Sequence, residues 1–167
     1  IVNNDNYEEI LLKLKSINRL NTVVIDAGHG GKDSGCRGAK SKEKHITLKL
    51  ALKLGKYIKN AFPNIKIIYT RKKDVFIPLH KRAEIANKNK ADLFISIHCD
   101  AMPKSARSKK VSGTETFVMG LHKEKENLRV AKRENQSILL EDNYQKNYNG
   151  FDPNSPEGHI MLSMMQH

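Results

Sequence analysis

Residues 23–31 read Val-Val-Ile-Asp-Ala-Gly-His-Gly-Gly, an apolar stretch that runs directly into a histidine set among glycines. β-Branched residues favour strands, and glycine admits positive φ and close backbone approach. The stretch therefore predicts a buried strand that ends in a loop where a metal or a substrate can reach the imidazole of His29. Residues 91–98, Ala-Asp-Leu-Phe-Ile-Ser-Ile-His, place His98 at the end of another apolar strand. If the two strands are neighbours in a parallel sheet, both histidines lie at one edge, where α/β folds place their sites.

Glu43 begins a long amphipathic segment. Its apolar residues recur at four-residue spacing, at Ile46, Leu50, Leu54, Ile58 and Phe62. This periodicity predicts a helix, which we expect to end between residues 60 and 63 because Pro63 cannot continue it. A glutamate in the first turn favours the helix dipole, so a structural role would account for Glu43. The same glutamate would point towards the strand ends if the helix follows the first strand in a βα unit.

These three residues together suggest a metal site. Two imidazoles and one carboxylate make up the ligand set of a catalytic zinc, which keeps a fourth position open for water. A lone histidine after a strand is more often a hydrogen-bonded structural residue than a ligand. The matching positions of His29 and His98, with Glu43 between them in the chain, favour the metal site.

The whole pattern predicts a single α/β domain with a central, mostly parallel sheet flanked by helices. We expect strands at 22–26, 66–70, 92–97 and 113–119, and helices at 43–60 and 78–89. Residues 1–20, with an amphipathic helix over 7–20, form an N-terminal extension of a core that spans 21–120. After Gly120 the sequence predicts a charged helix at 122–140, an irregular loop at 143–156 and a methionine-bearing helix. These form a helical insertion over residues 121–167, either near the mouth of the site or on the far side of the sheet.

Composition limits the partners. The chain has 167 residues, which suits one domain, and a net charge of +12. Such a charge suits nucleic acid, an anionic membrane or an acidic polymer, but no groove-reading or aromatic-basic motif favours nucleic acid, so we expect none. No apolar stretch approaches the roughly 18 residues of a transmembrane helix, and no signal peptide is present, so an exported form would have lost it. Most lysines are expected on solvated helix faces, among them Lys44, Lys49, Lys53, Lys56 and Lys59.

The two cysteines lie near the predicted ligands in sequence. Cys36 is in the glycine-rich loop after His29, and Cys99 directly follows His98. The clustered spacing of a Cys2His2 zinc site is absent. A disulfide and two unpaired thiols both remain open.

Several motifs occur in a fixed order along the chain. They are Asp-x-Gly-His-Gly-Gly at 26–31, Glu43, Tyr-Thr-Arg at 69–71 followed by Asp74, Leu79-x-x-Arg82, Ala86-Asn87 and residues 91–98. From about residue 21 to at least 120, the chain resembles the zinc-dependent N-acetylmuramoyl-L-alanine amidases, cell-wall hydrolases of the type that splits septal peptidoglycan. The resemblance implies that His29, Glu43 and His98 bind Zn²⁺. It also implies that zinc-activated water cleaves the amide between N-acetylmuramic acid and L-alanine, in the periplasm or cell envelope.

One departure of the sequence from this family concerns the catalytic glutamate, and another is Cys99-Asp100, where many relatives carry a small residue and Asn. The family's catalytic glutamate lies in a late strand of the form Leu-x-Glu followed by Gly-Phe, and Ile-Leu-Leu-Glu at 138–141 matches it poorly, which leaves Glu141 a weak candidate. We therefore expect the general base beyond His167, and a weakly active or inactive fragment. Arg71 and Arg82 are candidates either for substrate contact or for support of a loop.

Septal amidases of this family often carry a helical segment that covers the active site until an activator removes it. The resemblance makes residues 121–167 a candidate for this segment, with an activator protein as a partner besides peptidoglycan. Two alternatives remain. One is a cell-wall-binding or regulatory pseudo-amidase without the base, and the other is a basic nucleic-acid-binding module.

Overall fold

The computed structural model describes residues 20–99, 113–116 and 133–148. In chain order its elements are β1 (Thr22–Ala27), α1 (Glu43–Ala61), β2 (Lys66–Tyr69), α2 (Leu79–Lys88), β3 (Leu93–Ile97), a 3-10 helix (Gln136–Leu140) and α3 (Tyr144–Asn147). Among the described residues, no helix is both long and apolar enough to cross a membrane.

β1 is the central strand of a parallel three-stranded sheet with the order β2-β1-β3. It is covered along its length, and at most 2% of the surface is exposed at Val23, Val24 and Ile25. Helices α1 and α2 both contact it. In the register of β1 with β3, Ala27 lies opposite Ile97. The predicted α/β fold with a parallel sheet is therefore confirmed, and the loops that carry His29 and His98 leave the sheet from the ends of neighbouring strands.

The apolar residues at four-residue spacing do not all lie on the buried face of α1. Ile46, Leu50 and Phe62 are 37%, 46% and 59% exposed, whereas Leu54 and Ile58 pack against the core. A four-residue step turns about 400° around a helix of 3.6 residues per turn, so the series winds away from any one face. The face that packs on the sheet follows mixed steps of three and four residues, at Thr47, Leu48, Ala51, Leu54, Gly55 and Ile58.

Two further predictions concern the C-terminal region. The predicted helix at 122–140 is not α-helical to its end, because the chain forms the 3-10 helix from Gln136 to Leu140. The predicted loop at 143–156 contains the single turn α3, which is too short to show a periodicity in the sequence. Residues 113–116 are not in a strand. The predicted helix at 7–20, except for its last residue, and the methionine-bearing helix lie outside the described residues.

Candidate metal centre

The loop after β1 holds His29 in a rare backbone conformation. Its φ is 60°, in the left-handed region that few residues other than glycine occupy. Such conformations cost about 1–3 kcal/mol and cluster at functional sites. A Cβ atom at the preceding Gly28 would lie 2.4 Å from the ring of His98. Glycine at this position therefore lets the two imidazoles approach each other, with ring centroids 4.8 Å apart.

Four side chains direct one ligand atom each to a common point. Nε2 of His29 lies 3.2 Å from Nδ1 of His98 and 3.1 Å from Oε1 of Glu43. Nδ1 of His98 lies 3.2 Å from the same glutamate oxygen. The fourth side chain is Glu134, whose Oε2 lies 3.2 Å from His29 and 2.7 Å from His98. The fold thus brings together the three predicted residues and one glutamate that the sequence analysis did not select.

These separations fit a tetrahedral metal. With bonds of about 2.0–2.1 Å to histidine nitrogen and carboxylate oxygen, the ligand atoms of a tetrahedron lie about 3.3–3.4 Å apart. The contacts among His29, Glu43 and His98 are 3.1–3.2 Å. Two nitrogens and one oxygen are a donor set that suits zinc. They leave a fourth ligand position open, and Oε2 of Glu134 lies within 3.2 Å of both histidine ligand atoms.

The charges of the group also favour a cation. Burial raises the pKa of Glu43, but hydrogen bonds from both histidines and from two backbone amides outweigh it and bring the pKa well below the usual value. Burial disfavours the charged form of His29 and of His98. Hydrogen bonds to the surrounding carboxylates outweigh this as well, and raise the pKa of His29 to about 11 and that of His98 to about 9. The carboxylates therefore favour positive charge at their meeting point, which a divalent cation would supply.

Glu43 is the first residue of α1 and is held at both carboxylate oxygens. The amide of Cys36 donates to Oε2 at 2.8 Å, and the amide of Cys99 donates to Oε1 at 2.7 Å. The side chain of Glu43 is fully buried. The cysteines thus support the group through their backbone, and within the described residues they form no disulfide.

Asp33 orients His29. Its Oδ2 lies 2.7 Å from Nδ1 of His29, and its Oδ1 accepts a hydrogen bond from the amide of Gly35 at 3.0 Å. A carboxylate on Nδ1 keeps the proton on that nitrogen and turns the lone pair of Nε2 towards the common point. Asp33 was not predicted from the sequence, although its position four residues after His29 in the glycine-rich loop was a usable signal.

Arg71 and Arg82 are only 3% and 4% exposed and lie under the loop. Nη2 of Arg71 donates to the carbonyl of Gly28 at 2.8 Å. Nη2 of Arg82 donates to the carbonyl of His29 at 2.9 Å, and its Nη1 pairs with Asp26 at 2.7 Å. Of the two roles left open for these arginines, the contacts favour support of the loop.

Asp26 ties the strand ends together beneath the site. Its carboxylate accepts hydrogen bonds from Thr70 at 2.6 Å, directly after β2, and from Ser96 at 2.7 Å, in β3. Burial raises the pKa of Asp26, but the charge of Arg82 and these hydroxyl groups outweigh it and lower the pKa below 3.8. The platform below the histidines is therefore a buried ion pair.

Lys44 is not solvated, contrary to the prediction. It is 9% exposed, and its Nζ donates to the carbonyl of Gly31 at 2.8 Å and to Asp74 at 2.6 Å. The first turn of α1 lies against the glycine-rich loop, so a lysine there meets a carbonyl and a carboxylate. The prediction holds for the exposed residues Lys49, Lys53, Lys56 and Lys59.

The segment that carries Glu134 borders a cavity of about 560 Å³ beside the group. Its lining includes His29, Cys36, Glu43, Ser137, Leu139 and Leu140. Glu141 is placed differently: its carboxylate accepts a hydrogen bond from the amide of Leu79 at the start of α2 and does not join the group of four. No pattern in the sequence distinguishes Glu134 from the other glutamates of the charged stretch that contains it.

Comparisons with known proteins agree on one family. The sequence profile of the family described as N-acetylmuramoyl-L-alanine amidase matches residues 23–166. A germination-specific N-acetylmuramoyl-L-alanine amidase of Bacillus subtilis is 33% identical over 144 residues, which cover 78% of this chain and 56% of that protein. N-acetylmuramoyl-L-alanine amidase AmiC of Escherichia coli O6:H1 is 42% identical over 98 residues, covering 58% of this chain and 22% of that protein.

A solved structure agrees in both sequence and fold. The catalytic domain of CwlV, an N-acetylmuramoyl-L-alanine amidase from Bacillus (Paenibacillus) polymyxa var. colistinus, has a TM-score of 0.50 and 42% identity, covering 52% of this chain and 49% of that one. The matches span 22–40% of the length of the first four curated relatives. Because the family profile covers most of the sequence, the chain belongs to the N-acetylmuramoyl-L-alanine amidase family.

Proposed function

We propose that the protein is a zinc-dependent peptidoglycan amidase, which hydrolyses the bond between the lactyl group of N-acetylmuramic acid and L-alanine. The observation that supports this most directly is the convergence of His29, Glu43 and His98 at 3.1–3.2 Å in a chain of this family. The net charge of +12 suits an acidic polymer as substrate. Since peptidoglycan lies outside the cytoplasm, the proposal includes a periplasmic or cell-envelope location.

The described residues would bind and orient the zinc. His29, Glu43 and His98 would hold it, Asp33 fixes the ring of His29, and the buried arginines keep the loop in place. When bound, zinc would supply polarisation of the scissile carbonyl and a water whose pKa is lowered to about 7. A further carboxylate must carry the proton from water to the leaving amine. We assign this role to none of the described residues, because Glu43 is a ligand and Glu141 is engaged at α2.

We infer further that this arrangement is a closed form of the enzyme. Oε2 of Glu134 lies 2.7 Å from Nδ1 of His98 and 3.2 Å from Nε2 of His29, close to the space that water and the substrate carbonyl would need. Its other oxygen pairs with Arg133 at 2.7 Å. A carboxylate held there competes directly with substrate. On this proposal residues 121–167 contain the covering segment, and an activator protein displaces it.

The zinc ligands are tested by His29→Ala, with His45→Ala as the matched control. His45 is exposed on α1 and outside the group. His29→Ala should lose stoichiometric zinc in elemental analysis and keep its far-UV circular dichroism, while His45→Ala keeps both. Retention of one zinc per chain by His29→Ala would refute the assigned site.

The activity and its occlusion are tested by Glu134→Gln in the complete protein, with release of dye from labelled peptidoglycan sacculi. The variant should release dye faster than the wild type, and a chelator should abolish the release. Zinc-loaded Glu134→Gln that binds sacculi without cleaving them would favour the pseudo-amidase. Equal rates in wild type and variant would show that Glu134 does not occlude the site.

A further inference from the structure

The segment that carries Glu134 is attached to the domain at a second point. Glu141 and Tyr148 both bind the first turn of α2. The carboxylate of Glu141 accepts a hydrogen bond from the amide of Leu79 at 2.6 Å, and the hydroxyl of Tyr148 accepts one from the amide of His80 at 2.8 Å. These contacts span more than 60 residues in sequence.

The residues at the start of α2 provide no side-chain cap for its first amides. Its N-cap is Pro78, which makes no side-chain hydrogen bond. The first amides of a helix have no partner within the helix, and a carboxylate placed there is favoured by both hydrogen bonding and the helix dipole. Glu141 therefore supplies from a distant segment the cap that the local sequence lacks.

The carboxylate of Glu141 is shielded from solvent and has several hydrogen-bond partners. The side chain of Glu141 is 1% exposed, and its Oε2 lies 3.1 Å from Nδ1 of His80. The hydroxyl of Tyr148 donates to the same carboxylate at 3.0 Å, and its ring meets the His80 ring edge to face at 5.8 Å. By contrast, the neighbouring Asp142 is 96% exposed and, among the described residues, pairs with Lys32 at 3.7 Å. The attachment therefore depends on Glu141 and Tyr148.

We propose that Glu141 and Tyr148 form a latch that holds Glu134 over the metal ligands. The proposal rests on the proposed occlusion by Glu134. The 3-10 helix lies between Glu134 and Glu141, and its Ile138 is 2% exposed, so the two ends of this short packed segment are coupled. On the other side, Arg82 in the first turn of α2 donates to the carbonyl of His29. The latch thus fixes the covering segment to the helix that supports the metal loop, and its release frees Glu134 without altering a ligand.

The test measures zinc release to a chromophoric chelator from the complete protein. Glu141→Gln removes a charge that several donors share and should speed release roughly tenfold, the effect of about one charge-assisted hydrogen bond. Tyr148→Phe should speed it severalfold. Asp142→Asn, which removes the same charge one residue later, should release zinc at the wild-type rate. Glu134→Gln gives the rate of an open site, and adding Glu141→Gln to it should change that rate no further.

Two results would overturn the latch. One is wild-type zinc release from both Glu141→Gln and Tyr148→Phe. The other is that Glu141→Gln speeds zinc release by the same factor in the wild type and in Glu134→Gln. That result would mean that Glu141→Gln only destabilises the domain. If Glu141→Gln does not fold, Tyr148→Phe decides, since it removes a single hydroxyl group.

The latch and the proposed activity can fail separately. If Glu134→Gln cleaves no peptidoglycan, the activity fails, and zinc release still decides the latch. If the protein binds no zinc, the rate of proteolysis within residues 133–148 decides: Glu141→Gln should be cut faster than Asp142→Asn, and equal rates would refute the latch.

Discussion

Asp33→Asn is the sharpest test of how the loop prepares His29. Asp33 accepts from the amide of Gly35 through Oδ1 and meets Nδ1 of His29 at 2.7 Å through Oδ2. Asparagine has only one acceptor oxygen, so it can keep one of these contacts and must present its NH₂ group to the other. If NH₂ faces His29, Nδ1 becomes the acceptor and the proton moves to Nε2, the atom that should bind zinc. If NH₂ faces Gly35, two donors oppose each other and the loop must shift.

Either outcome weakens the metal site without removing a ligand. Loss of a partner that orients a ligand typically costs 10–100-fold in metal affinity, or about 1.4–2.7 kcal/mol. Competition with a chromophoric chelator measures the dissociation constant for zinc, and the matched control is Asp92→Asn. Asp92 accepts from the amides of Asn21 and Thr22 at the opposite end of β1. A dissociation constant for Asp33→Asn within threefold of the Asp92→Asn value would refute the reasoning.

Three further outcomes follow from the same contacts. Gly28→Ala should lower zinc affinity at least tenfold by displacing His98, since its Cβ would lie 2.4 Å from that ring; an unchanged titration would contradict this. Arg82→Met should lower the free energy of unfolding by about 3–5 kcal/mol because it leaves Asp26 buried without its ion-pair partner. Urea denaturation measures this loss, and the double variant Asp26→Asn/Arg82→Met should recover part of the lost free energy of unfolding. Because the folded-state pKa of Asp26 is lowered below 3.8, its contribution to stability is present at neutral pH and is lost as the pH falls below about 4. The unfolding free energy of Asp26→Asn should therefore decline less than that of the wild type in that range, and parallel curves would contradict the assignment.

The sheet and the meeting of the two histidines could be predicted because local sequence determines them. A β-branched run that ends in a glycine-flanked histidine implies a buried strand and an open loop, and a second such run makes a neighbouring strand the simplest arrangement. His29 and His98 therefore converge as expected. Glu43 joins them because the helix begins directly after the loop, so its first residue stays near the strand end.

The buried face of α1 shows where such inference fails. Side-chain chemistry alone made Ile46, Leu50 and Phe62 look like core residues, but a helix packs by angle as well as by hydrophobicity. Small residues, Ala51 and Gly55, occupy the packed face because the helix lies close to the sheet; a Cβ at Gly55 would clash with the Tyr69 ring. Lys44 fails for a related reason, since its partners Gly31 and Asp74 come from two separate loops.

Glu134 could not be predicted, and the reason is physical. The three predicted zinc ligands lie in one loop, at the start of one helix and at the end of one strand, and short connections bring them together. Glu134 instead reaches the group from a segment about 90 residues beyond Glu43, so a long loop separates it from them. On the proposed latch, Glu141 and Tyr148 hold this segment in place by accepting hydrogen bonds from the first amides of α2. The sequence shows those residues only as an acid and an aromatic in a polar stretch. On the proposed latch, the position of the Glu134 carboxylate depends on the capping of a helix that carries none of the predicted ligands.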